Sequence, residues 1–161
     1  MALGRVRASA VDARAALAAA STPVQRALAR FALGLALERA GDLPSALSEI
    51  HIARLSAPAV GGSELGILDL PGAFVFRPED AEYVAALDAM AAARVASDVR
   101  DALLAYERAL VAWEHYIALV SAEDRWLAVA RVHATECERA RARLARQQPA
   151  PRAPDDSGGF F

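Results

Sequence analysis

The chain has 161 residues, 55% of them hydrophobic and 24% charged, with a formal net charge of -2. That is one domain's worth of sequence, with enough apolar residues for a core but no basic field to draw in nucleic acid and no acidic excess to keep the chain unfolded. Cys137 is the single cysteine, which excludes an intrachain disulfide. Every basic residue other than histidine is Arg, and Lys and Asn are both absent. With the high Ala content, this reads as the codon bias of a GC-rich, bacterial genome.

In chain order, the first helix signal runs over about 6–20. Arg5, Arg7, Asp12 and Arg14 interrupt its apolar residues, so it suits neither a secretory leader nor a membrane span, and a cytoplasmic location is expected. A second helix starts at Thr22-Pro23 and runs to Ala40, and a third runs from Leu43 to Ala57 after the turn Gly41-Asp42. Residues 59–77 contain four Gly and Pro71 and cannot continue a helix, yet they hold Leu65, Leu68, Phe74 and Phe76. An apolar connection of this kind either folds back to fill a groove or offers a partner an apolar hook or a strand edge. Leu70-Pro71-Gly72-Ala73 reads as a type II turn within it.

Helix resumes at Pro78-Glu79-Asp80, where two acids face the positive end of the helix dipole, and it breaks at Ser97-Asp98. The next helix, about 98–120, carries two stripes. Val99, Leu103, Tyr106, Leu110, Trp113, Ile117 and Val120 form one, and Ala102, Ala105, Ala109, Ala112, Tyr116 and Leu119 lie roughly 100° around the axis from it. Two apolar faces predict a helix covered on both sides, as inside a helical array, although a heptad stripe also suits a coiled-coil dimer. Ser121 and Asp124 read as a capping box for a last helix over 122–147. Residues 148–161, with three Pro, two Gly and the ending Phe160-Phe161, read as a flexible tail.

Self-comparison adds a repeat. Within 27–60, Leu33-Gly34, Leu37, Gly41-Asp42, Ala46, Ile50, Ala53 and Pro58 fall at positions that resemble the tetratricopeptide (TPR) pattern of about 34 residues. The spacing has physical sense: Gly34 and Ala46 allow close approach of two helices, Gly41 makes the turn, and Pro58 stops the second helix. Arg30 and Leu37 replace the Trp and Tyr common in that family. A degenerate copy follows 56 residues later, where Ser97-Asp98, Ala102, Tyr106 and Ala109 echo Gly41-Asp42, Ala46, Ile50 and Ala53.

The resemblance implies an all-α fold of stacked antiparallel helix pairs, a short TPR-like superhelix of about six helices with capping helices, in a single domain over 1–147. Its parts are the clear repeat 27–60, the loop 59–77, the degenerate repeat 78–120 and the capping helix 122–147. It also implies a concave face that binds a peptide or helix, lined by Leu28, Phe31, Leu35, Glu38 and Arg39 and by Val84, Leu87, Ala91, Arg94 and Val95. Phe74, Phe76, Phe160 and Phe161 are further candidate contacts. Packing of Phe31, Leu35 and Leu87 against neighbouring helices is the competing reading. The Lys/Asn clamp with which some TPR proteins grip a terminal carboxylate is absent, so a chaperone-tail partner is not expected.

The remaining candidates are weaker. His133 and Cys137 have the spacing of half a metal site, but they lie on the helical stripe of Trp126, Val129, Ala140 and Leu144 and read as core. Arg139, Arg141, Arg143 and Arg146 make a basic helix end that complements the dipole, and nucleic acid is not expected there, since aromatic interleaving is missing. No nucleophile with a base, phosphate loop or paired carboxylates is recognisable, so neither an enzyme nor a cofactor is expected. The sequence predicts an adaptor or assembly subunit, and alternatively a self-assembling subunit using helix 98–120 or the Phe-Phe tail.

Overall fold

The computed structural model describes residues 2–57, 67–69, 74 and 77–147. The fold is all-α: six helices and no strand among the described residues. They are α1 (Ala2–Ala19), α2 (Pro23–Arg39), α3 (Leu43–Ser56), α4 (Pro78–Val95), α5 (Val99–Leu119) and α6 (Leu127–Ala145), with a 3-10 turn at Ile67–Asp69.

Local chemistry sets most of the ends. At α2, Thr22 Oγ1 accepts the Gln25 N–H at 3.2 Å while Gln25 Oε1 accepts the Thr22 N–H at 3.1 Å, and Pro23 fills the first turn, where no N–H is needed. Asp42 and Asp98 accept from the N–H groups of Ser45 and Asp101 to start α3 and α5. Gly41, with φ +87°, closes α2: its N–H bonds the Glu38 carbonyl and that of Asp42 bonds the Leu37 carbonyl, each at 2.9 Å. This is the left-handed glycine stop, which a side chain would strain.

The last helix departs from the expected capping box. It begins at Leu127, because the Asp124 carboxylate is engaged elsewhere: it accepts the Trp126 N–H at 2.8 Å and the Tyr116 hydroxyl at 2.9 Å. A tertiary bond to α5 has replaced the local one to Ser121.

Each helix packs against the next in chain order. The tight connections make α1–α2, α2–α3, α4–α5 and α5–α6 antiparallel neighbours. Gly34 explains the closeness of α2 and α3, since a Cβ there would stand 2.6 Å from Ile50 Cγ1 and 3.1 Å from the Ala46 carbonyl oxygen. Arg30 pairs with Glu49 across α2 and α3 at 2.8 Å, and Arg54 pairs with Asp88 across α3 and α4. Both stripes of α5 are used: the Ala stripe and Tyr116 are buried, as are Leu110 and Trp113, whereas Leu119 at its end is 59% exposed. The main core gathers Phe31, Ile50, Leu68, Leu87, Trp113, Tyr116 and Cys137, and a smaller one joins Ala10 and Ala13 of α1 to Leu33, Leu37 and Ala46. Among the described residues no helix is long and apolar enough to cross a membrane.

Candidate functional site

Three helices distant in sequence meet at one carboxylate. Glu38 near the end of α2 is buried, and its Oε1 accepts the Tyr83 hydroxyl of α4 at 2.8 Å and stands 2.8 Å from His133 Nε2 of α6. With Glu38 as acceptor for both, the His133 proton belongs on Nε2. His133 Nδ1 lies 3.5 Å from Glu136 Oε2, and neither that nitrogen nor Glu38 Oε2 has a hydrogen-bond partner among the described residues. Aromatic rings enclose the group: Tyr83 meets Trp113 edge-on at 4.9 Å and Tyr116 at 5.0 Å, and Trp113 lies 5.4 Å from the His133 ring. The indole N–H of Trp113 donates to Met90 Sδ at 3.4 Å.

Burial raises the Tyr83 pKa, the adjacent Glu38 carboxylate raises it further, and the hydroxyl therefore stays protonated as a donor. Burial likewise pushes the Cys137 thiol up to about 12, against its use as a nucleophile. No group of three His, Cys, Asp or Glu among the described residues is placed to hold a metal ion, and His133 turns to Glu38 instead of pairing with Cys137.

Next to this group a cleft of about 770 Å³ opens between α2, α4 and the α5–α6 turn. Leu35, Val84 and Phe74 form its apolar part, and Tyr83 and Tyr116 line its floor. The rest of the lining is charged, with Arg39, Arg77 and Arg125 beside the carboxylates of Asp80, Glu123 and Asp124. The guanidinium groups of Arg39 and Arg125 lie 4.8 and 4.9 Å from the centre of the Trp126 ring, within cation–π range. Neither has an ion pair among the described residues. Arg77, by contrast, is committed to Glu79 at 3.1 Å, Asp80 at 3.2 Å and Asp124 at 3.7 Å. For Asp124 desolvation opposes ionisation, but the Trp126 N–H, the Tyr116 hydroxyl, Arg77 and Arg125 outweigh it and hold the carboxyl below its ordinary pKa.

The residues expected on the concave face divide into two sets. Leu35, Arg39, Val84 and Phe74 come together in the cleft. Phe31 and Leu87 are fully buried core residues, and Glu38 is the acceptor of the buried group, so these three offer nothing to a partner in the folded chain. Ala91 is also buried, Leu28 is partly buried beside Phe74, and Arg94 and Val95 are exposed at the other end of α4. From the loop, Leu68 is fully buried and Phe74 packs on Phe31 with ring centres 4.7 Å apart, so this part of 59–77 folds back onto α2. The 70–73 turn, Phe76, Phe160 and Phe161 lie outside the described residues.

Sequence reasoning missed Tyr83, Trp126, Arg77 and Arg125 as cleft residues. One signal was available: Glu38 falls on the stripe of Phe31 and Leu35, and a carboxylate on an apolar helix face requires a buried donor. No family model, curated protein or solved structure matches the chain.

Proposed function

We propose that this chain is a non-catalytic TPR-like adaptor or assembly subunit, and that its cleft grips an extended peptide segment of a protein partner. The observation that carries the reading is the pair of guanidinium groups, Arg39 and Arg125, held on Trp126 with no ion pair among the described residues, in the same cleft as the apolar wall of Leu35, Val84 and Phe74. Such a site suits an acidic side chain followed at short range by an apolar one. The carboxylate takes the guanidinium edges and the apolar group takes the wall. The tyrosines, held protonated, add donors and no nucleophile.

Trp126 supplies the test, because a bound segment changes its surroundings. Peptides pairing Asp or Glu with Leu or Phe are titrated against the chain with fluorescence as readout, beside versions with Asn or Gln. The acidic peptides are expected to bind, and Arg39→Ala/Arg125→Ala to weaken them roughly tenfold or more, the loss of two charge-assisted contacts, while Arg100→Ala on the far face of α5 leaves them unchanged. Equal binding of acidic and neutral peptides, or an unaffected double variant, defeats the proposal.

Self-assembly is a second reading, supported by the outer face of α5, where Leu104 and Val111 are 47% and 51% exposed one above the other. A chain that stays monomeric by light scattering at high concentration removes it.

A further inference from the structure

The far half of α6 carries a second groove, separate from the cleft and independent of its reading. It is about 770 Å³ in volume. Leu43 and Pro44 of α3 and Tyr106 of α5 form its accessible apolar part over the buried Leu47 and Met90, and Arg94, Arg139 and Arg143 stand on its rim, with Glu136 as its lone carboxylate among the described residues. None of those three arginines has an ion pair among the described residues. Like-charged guanidinium groups gathered around an apolar hollow repel one another, and an acidic occupant relieves this while covering the floor.

The chain supplies such an occupant at the rim itself. Gln147 lines the adjoining hollow together with Arg94, Tyr106 and Arg143. Beyond it the sequence QPAPRAPDDSGGFF places Asp155-Asp156 and then Phe160-Phe161. From Gln147, the eight residues to Asp155 span at most about 28 Å and the thirteen to Phe160 at most about 45 Å. The groove extends along α6 from Glu136 to Arg146, about 15 Å at helical rise, so both pairs reach it with slack. The matching is of two kinds in one segment: two carboxylates for the arginine rim, and two aromatic rings for the apolar surface of Leu43, Pro44 and Tyr106. A tether this short gives an effective concentration of about a millimolar, enough to populate contacts too weak to form between separate molecules.

We propose that residues 155–161 dock intramolecularly into the groove between α3, α5 and the second half of α6, with Asp155 and Asp156 on Arg94, Arg139 and Arg143 and with Phe160 and Phe161 on its apolar floor. A partner for this face then has to displace the chain's own segment.

Amide hydrogen exchange of the full chain, read by mass spectrometry over residues 148–161, tests this. The reference rate comes from a synthetic peptide of those residues. Exchange over 155–161 is expected to be about tenfold slower in the chain than in the peptide, as for a segment docked about nine-tenths of the time. Arg139→Glu/Arg143→Glu and, separately, Phe160→Ser/Phe161→Ser are expected to restore the peptide rate. The second variant leaves α1–α6 untouched, so its result stands even if the arginine variant loses helix by circular dichroism. Exchange at the peptide rate in the wild-type chain overturns the proposal, as does protection that survives the Phe variant. Protection that fades on dilution overturns it too, because the segment then docks on a second copy.

Discussion

Replacing Glu38 by Met removes the acceptor shared by Tyr83 and His133 and leaves two buried donors without a partner. Each stranded donor costs about 1–3 kcal/mol, and breaking a buried pair from one side costs about 3–5 kcal/mol overall. For a domain of this size, that lowers the melting temperature by on the order of 10 °C. Tyr83→Phe deletes one donor and leaves Glu38 Oε1 with His133, so its cost is about 1–2 kcal/mol. The triple variant Glu38→Met/Tyr83→Phe/His133→Leu removes every member and leaves no stranded polar group, so it recovers most of the loss, because apolar replacement of a whole buried pair is close to neutral. Urea unfolding followed by circular dichroism measures all three on one scale. The reasoning fails if Glu38→Met lies within about 0.5 kcal/mol of wild type, or if the triple variant is no more stable than Glu38→Met alone.

Two further outcomes follow from the packing. Gly34→Ala ordinarily favours a helix by about 0.5–1 kcal/mol, but here the added methyl meets Ile50 Cγ1 and the Ala46 carbonyl oxygen, and only the side chain can yield. A net loss of about 1–3 kcal/mol is expected from overpacking, and a thermal melt showing stabilisation contradicts the close approach of α2 and α3. Asp124 has a depressed pKa, so its contribution to stability is complete above the ordinary carboxylate range and is lost as pH falls through the folded value. Denaturant midpoints between about pH 5 and pH 3 are expected to fall less steeply for Asp124→Asn than for wild type. The difference stays under about 1 kcal/mol, because the half-exposed Arg77 partner is screened by water.

Much of the fold was legible because it is written locally. Thr22-Pro23, Gly41-Asp42, Pro78 and Asp98 each carry their own helix-end chemistry, and the structure uses them as such. The close approach at Gly34 and the double burial of α5 were likewise readable, since Gly34 and Ala46 leave room for two helices to meet and the spacing sets two stripes on one helix, although the side chain that fills the approach, Ile50, was expected between neighbouring helix pairs. Failures came where a side chain had a distant alternative. Asp124 had the position of a cap for Ser121 and bonded Tyr116 of α5 instead, which moved the start of α6 to Leu127. Glu38 lay in the right period for a groove residue, but its donors sit on α4 and α6, and no local pattern announces such a meeting. The cleft was half legible: Leu35, Arg39, Val84 and Phe74 came from the pattern, whereas Arg125 and Trp126 depended on the turn that Asp124 shapes.

Glu38 and His133 are 95 residues apart. A row of helices in which each touches only its neighbours can lose its last member by itself, as a column loses its top drum. The bond between α2 and α6 ties the second helix to the sixth, so α6 cannot peel away without exposing a carboxylate near the middle of the structure. Forming that tie requires a long loop to close first. Fraying of α6 is thereby coupled to the burial of the Glu38 carboxylate on α2.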